Sequence, residues 1–309
     1  MKKFFILFIC VLVLFVAKAQ YFQTGQDPAS IKWRQINTEN FQLIYPDYFE
    51  DQAQKLASTF EKVYNYGSYS LNHKPEKISI VLHTQTVKSN GLVAYAPKRS
   101  ELYTTPHQGI YAQDWLEQLA IHEFRHVVQL DKINAEIPKI IKMLLGEQGT
   151  ALLFGAYLPW WFIEGDAVVL ETTLSNFGRG RFPSFLMEHK AQVVEKGRFS
   201  YDKAYNGSFK DFVPDHYKLG YYIVANANER YGAGLWDSVT TRVGKRPFSF
   251  NPFNKALKAE IGLSKVQLYS TVFDSLKNVW EQEDKLYNDN LSKSILPQTT
   301  VFSNYTHNH

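Results

Sequence analysis

Gln113-Asp114-Trp115-Leu116-Glu117-Gln118-Leu119-Ala120-Ile121-His122-Glu123-Phe124-Arg125-His126-Val127-Val128-Gln129-Leu130-Asp131 is the stretch from which the rest of the chain is read. Trp115, Leu116, Leu119, Ala120, Val127 and Leu130 fall on one face at helical spacing, so the segment predicts an amphipathic helix to about Asp131. Upstream the pattern differs. Ile31 to Ile36 and Phe41 to Tyr45 read as short strands around the turn formers Asn37 to Asn40, and Lys77 to Thr84, Gly91 to Ala96 and Glu101 to Thr105 as three more. Between them Phe49, Ala53, Leu56, Phe60, Val63 and Tyr64 recur at helical spacing, with Asp47 at the expected N-cap. Downstream, helices are expected near Pro138 to Leu145, Pro159 to Leu174, Phe185 to Glu195, Tyr217 to Tyr231, Leu235 to Val243 and Lys265 to Tyr287, and no later segment reads as a strand. The expected fold class is therefore α+β, with an N-terminal α+β part over 20–112, a mainly helical part over 113–288 and a polar, unpatterned tail over 289–309.

The first nineteen residues read as an export signal: Lys2 and Lys3 precede an apolar run from Phe4 to Val16, and Ala17-Lys18-Ala19 supplies small residues for cleavage. The run is short of the roughly 20 residues that cross a bilayer. Cys10, the one cysteine, lies inside it, so the exported chain is expected to hold neither disulfides nor thiolate metal sites. Removal of Lys2, Lys3 and Lys18 lowers the formal charge from +4 to +1, which leaves no basic excess for nucleic acid or an anionic membrane. The expected location is periplasmic, cell-surface or secreted, with no membrane span after signal removal.

His122 and His126 stand one helical turn apart on one face, so both imidazoles can reach a single Zn²⁺. Glu123 lies beside them, where a carboxylate can take a proton from an attacking water without binding the metal. The alternative, a surface helix with polar residues, fits poorly with imidazoles set among Leu119, Ala120 and Val127. A catalytic zinc needs a third protein ligand and an open position. A His six residues after His126 would make a metzincin, but Lys132 stands there, and Gln129 stands where that pattern has Gly. A Glu on a later helix is the other common solution, and Trp161-Phe162-Ile163-Glu164-Gly165-Asp166-Ala167 offers Glu164 just inside a helix opened by Pro159. Glu171 follows two turns along the same face, where it could accept the second N–H of a ligating His. Asp166 is a further candidate beside the site, with an acidic first-turn residue as its plain alternative.

His122-Glu123-Phe124-Arg125-His126, followed by Trp161-x-x-Glu164-Gly165-x-Ala167 and Glu171, resembles the gluzincin clan of zinc metallopeptidases, the peptidase MA-like superfamily. The resemblance implies a thermolysin-like catalytic domain, one zinc ion per chain on His122, His126 and Glu164, and Glu171 supporting the ligands from behind. Tyr217-Lys218-Leu219-Gly220 resembles the Tyr-x-x-Gly helix start of aminopeptidase-N-like gluzincins, which would make Tyr217 the oxyanion donor; His216 and Tyr222 compete for that role. Gluzincins also pair the substrate backbone with an edge strand, for which Gly91 to Ala96 is the candidate.

The sequence departs from that pattern in two places. The spacer from Val127 to Ile163 is long and rich in Ile and Leu, so it predicts a helical hairpin that packs over the site or forms an apolar contact surface, with burial in the core preferred to membrane contact. Such spacers resemble those of secreted bacterial proteins in which a β-propeller follows the catalytic domain. The Gly-x-Met-Glu-Asn strand that anchors a substrate amine is absent, since Gly91-Leu92-Val93-Ala94-Tyr95 carries no acid. The expectation is therefore an endopeptidase acting on peptides or proteins. A secreted binding or assembly module with a retained zinc site, and a hydrolase of non-peptide substrates, are the rivals.

Overall fold

A computed structural model describes residues 27–109 and 113–287. The expected signal peptide and the tail over 289–309 lie outside the described residues. The N-terminal part is a mixed five-stranded sheet with one helix against it, and the rest is helical. Strands β1 (Trp33–Asn37), β2 (Phe41–Pro46), β3 (Ile78–His83), β4 (Gly91–Tyr95) and β5 (Lys98–Tyr103) lie in the order β1-β2-β3-β5-β4. The β2/β3 and β3/β5 pairs are parallel and the outer pairs antiparallel, so β4 forms an edge. β2 and β3 alternate buried and half-buried residues, as strands covered mainly on one face do.

Helix α1 (Glu50–Tyr69) covers that face with Ala53, Leu56, Ala57, Phe60, Val63 and Tyr64. Its start corrects the sequence expectation. Asp47 opens a single 3₁₀ turn and makes no side-chain cap; Glu50 instead takes the first α-helical position, accepting from the Tyr45 hydroxyl at 2.7 Å and from Gln54 at 2.9 Å. Phe41, Phe60, Tyr64 and Phe124 then form an aromatic cluster with centroids 5.0–5.9 Å apart, which ties sheet and α1 to the long helix α2 (Trp115–Glu136).

Asp114 caps α2 by accepting from the backbone N–H groups of Leu116 and Glu117. The helix runs a turn beyond its expected end because Ile133 is buried and Lys132 pairs with Asp237 at 2.6 Å. Pro138 stops it, and α3 (Lys139–Tyr157) follows with a break at Gly146, whose φ of 63° favours glycine. The spacer is thus the end of α2 plus a kinked helix. Its outer face is not core: Ile140, Met143, Leu144 and Leu152 are 65–80 % exposed, because α3 meets the body mainly through Leu153, Phe154 and Tyr157. No helix among the described residues is long and apolar enough to cross a membrane.

The helices α4 (Trp160–Leu174), α5 (Pro183–Lys196), α6 (Tyr201–Asn206), α7 (His216–Tyr231), α8 (Leu235–Gly244), α9 (Pro252–Ile261) and α10 (Lys265–Tyr287) complete the fold. α6 is too short to announce itself by periodicity, and α9, which the sequence reading did not include, supplies Phe253 to a second core with Trp161, Phe162 and Trp236. α4 and α7 cross with their backbones in contact. A Cβ at Gly165 would lie 2.2 Å from the backbone carbon of Gly220, and one at Gly220 would lie 1.8 Å from the Trp161 carbonyl oxygen, so only glycine allows the crossing.

Candidate metal centre

α2 and α4 bring His122, His126 and Glu164 together. One ligand atom from each lies within 4.8 Å of the others, and all three residues are buried. Glu164 Oε2 is 3.3 Å from the Nε2 of both His122 and His126. The rings are perpendicular, with centroids 4.9 Å apart, as expected of imidazoles stacked along one helix face and aimed at one point.

A group outside this triad fixes which nitrogen His126 presents. His126 Nδ1 lies 3.0 Å from Gln129 Oε1. The Gln129 amide nitrogen is committed to the Ile163 carbonyl at 3.0 Å and to Asp166 Oδ2 at 2.7 Å, so its oxygen must face the imidazole and Nδ1 must carry the hydrogen. His122 Nδ1 lies 3.1 Å from Glu171 Oε2, which accepts, and 2.8 Å from Arg179 Nη2, which only donates. The Nε2 atoms of both rings face Glu164, and Gln129 sets the Nδ1–H tautomer of His126 that a metal site requires. With two nitrogens, one carboxylate oxygen and room for a further donor, the set fits Zn²⁺.

Charge supports the same reading. Burial disfavours the cation of His126, but the Glu164 carboxylate outweighs it and raises His126 to about 9. Burial opposes ionisation of Glu164 as well, and the two histidines overcome it and hold the carboxyl far below the ordinary range. A carboxylate that favours a proton on His126 also favours a metal cation between them. Burial raises Glu123 above the ordinary carboxylate value, against the lowering effect of His126 and His122. Fully buried Glu171 is lowered to about 2: desolvation resists its charge, and the Arg179 guanidinium, bonded through Nε at 2.6 Å and Nη2 at 2.9 Å, overrides it.

The remaining expected residues separate into front and back. Tyr217 lines the cleft, its ring 6.1 Å from that of His122; burial and then the Glu164 charge raise its hydroxyl strongly. The Gly165–Gly220 crossing places it there, one turn from Gly220 and beside Glu164. Tyr222 is committed elsewhere, donating to the Leu186 carbonyl at 2.9 Å, and His216 stacks on Tyr217. Asp166 stands behind the centre, receiving both Nε and Nη2 of Arg125 at 2.6 and 2.8 Å, and reaches His126 through Gln129. β4 forms the other wall: Ser89 to Val93 line the cleft, and a Cβ at Gly91 would lie 2.5 Å from Glu123 Oε1.

Sequence reasoning missed Gln129, Arg125 and Arg179 as supports. Two of them were within reach, since Gln129 lies one turn past His126 and Arg125 inside the motif. Arg179 sits in a 3₁₀ turn, Arg179–Arg181, with no periodic signal.

No family model matches the chain. It is 25 % identical over 203 residues to an uncharacterised protein of Treponema pallidum (strain Nichols), a match that covers 59 % of this chain and 18 % of that one. The chain thus spans less than a fifth of that relative's length. Among solved structures it is similar to an aminopeptidase N family protein from Idiomarina loihiensis, with a TM-score of 0.38 and 10 % identity over 86 % of this chain and 45 % of the other.

Proposed function

We propose that this chain is the catalytic part of a secreted, zinc-dependent peptidase of the gluzincin type, with thermolysin-like organisation and endopeptidase action. The observation that carries the reading is the convergence of His122, His126 and Glu164, with the Nε2 atoms of both rings turned to one carboxylate oxygen and Glu123 alongside. Bound by these three residues, zinc supplies Lewis acidity for the scissile carbonyl and for an attacking water. Glu123 takes the proton of that water as the O–C bond forms and delivers it to the leaving amine as the C–N bond breaks. Tyr217 donates its hydroxyl to the carbonyl oxygen as charge develops there. Glu171, and Asp166 through Gln129, hold the rings in place. Edge strand β4 offers its outer backbone groups to an extended peptide beside Glu123. Among the described residues three protein donors converge, which favours catalysis over a closed structural site in a binding or assembly module. A C-terminal β-propeller belongs to the same proposal as a neighbour in a longer protein.

The test is zinc analysis combined with digestion of a peptide library, products being read by mass spectrometry. One zinc per chain, internal cleavage and loss of cleavage on chelation are expected. Stoichiometric zinc without hydrolysis would favour the module instead, and release of single N-terminal residues would overturn the endopeptidase assignment.

A further inference from the structure

Ile140, Met143, Leu144 and Leu152 of α3 stand in solvent, and so do Phe248 and Phe250, at 82 % and 88 % exposure, in the connection between α8 and α9. The two groups belong to one surface. Just before α3, Glu136 pairs with Lys245 at 3.7 Å, and a Cβ on Gly244 would lie 2.5 Å from the Cβ of Glu136. At the other end of α3, the Tyr157 hydroxyl donates to the Pro247 carbonyl. Both ends of the kinked helix therefore rest against residues 244–247, next to Phe248. Single apolar side chains in water are ordinary, but six large ones on adjoining segments mark a contact surface.

Charge decides what that surface meets. Over 139–157 and 245–255 the cations are Lys139, Lys142, Lys245, Arg246 and Lys255, and the one acid is Glu147. Lys255 reaches between the two phenylalanines, donating to Ser249 Oγ at 3.2 Å. Glu136, the acid beside Lys245, is shared with Lys132 at 3.4 Å. The formal charge of +1 expected after signal removal conceals this local excess. A symmetric dimer through the same face would set the cations of one copy against those of the other. An anionic bilayer complements both features: the apolar side chains enter the acyl boundary, and the long lysine and arginine stems carry their charges to the phosphates.

We infer that α3 and the 245–251 connection form a peripheral docking surface for an anionic lipid bilayer. The body stays outside the bilayer, since no helix among the described residues is long and apolar enough to cross it. Ala151, Phe154 and Gly155 of the same helix line the cleft, so docking holds the candidate metal centre near the lipid surface. The inference does not depend on the chemistry of that centre.

The experiment is co-sedimentation of the chain from Gln20 onward, which keeps every described residue, with vesicles of phosphatidylcholine alone or with about 30 % phosphatidylglycerol. Binding to the anionic vesicles should be at least about tenfold tighter than to the neutral ones and should weaken as salt rises. Leu144→Glu with Phe248→Ser, and separately Lys139→Gln with Lys142→Gln, should each lower it by about tenfold or more. The two pairs alter different side chains at the surface, so if one pair lowers Tm the other decides. Absence of vesicle binding, equal binding to both vesicles, or binding that neither pair of substitutions changes overturns the inference. A concentration-dependent dimer that Leu144→Glu abolishes, without vesicle binding, assigns the face to a second copy and overturns it as well.

Discussion

Gln129 Oε1 holds the Nδ1 hydrogen of His126, and Asp166 with the Ile163 carbonyl holds the Gln129 amide nitrogen, so the ligand nitrogen of His126 is set two hydrogen bonds away. Gln129→Leu removes that constraint while filling a similar volume. Zinc affinity is expected to fall by about 10- to 100-fold, measured by competition with a chromophoric chelator. Unchanged affinity would mean that packing alone orients the ring. At this scale the sequence was legible where chemistry follows helical spacing: His122, Glu123 and His126 share a turn, and Glu164 and Glu171 share a face. Asp166 was a candidate beside the site with a first-turn acid as its alternative, and its pairing could not be read because Arg125 lies on another helix and such pairings leave no local pattern.

Contact between helices α4 and α7 is the structural condition for the whole centre. Glycines at 165 and 220 let the two backbones touch, and the same crossing sets Glu164 and Tyr217 side by side. Gly220→Ala would drive its Cβ into the Trp161 carbonyl, against main chain that cannot rotate away. A stability loss of about 2 kcal/mol or more is expected in chemical denaturation, with hydrolysis falling as Tyr217 moves. A midpoint equal to that of the unaltered protein would contradict the close crossing. Element types and most boundaries were readable because strands β2 and β3 alternate and the long helices repeat their apolar residues. The misses have local causes. α2 outran its expected end because Lys132 finds Asp237, and α6 spans too few turns to show a period. α3 was expected to pack over the site or to form an apolar contact surface, and composition could not show that its Ile and Leu residues point both ways.

Acid sensitivity belongs to the whole molecule, since the buried groups that drive it lie far apart in sequence. His189 on α5 is packed against Tyr222 and Phe273, neither ring nitrogen has a partner, and burial pushes its pKa down to about 3, with Asp215 and Lys218 the nearby charges. In the unfolded chain the same imidazole takes up a proton near pH 6.5. Between those values only the unfolded state binds the proton, so the contribution of His189 to stability is full above about 6.5 and is lost as the pH falls toward 3. His189→Leu is expected to flatten this part of the decline, seen as a smaller drop in Tm between about pH 7 and pH 5. An equal drop in protein and variant would show that His189 charges freely in the fold. The sheet, the aromatic cluster around Phe124 and the second core around Trp236 together leave one cleft in which edge strand, metal candidates and Tyr217 meet.

The most direct measurement compares zinc content and peptide hydrolysis in the unaltered protein and in Glu123→Gln. The substitution leaves His122, His126 and Glu164 in place and removes only the proton acceptor beside them. One zinc per chain in both, with hydrolysis reduced by at least about 100-fold in the variant, is the expected result. Full zinc-dependent hydrolysis by Glu123→Gln, or loss of the metal together with the carboxylate, would contradict the assignment of this centre.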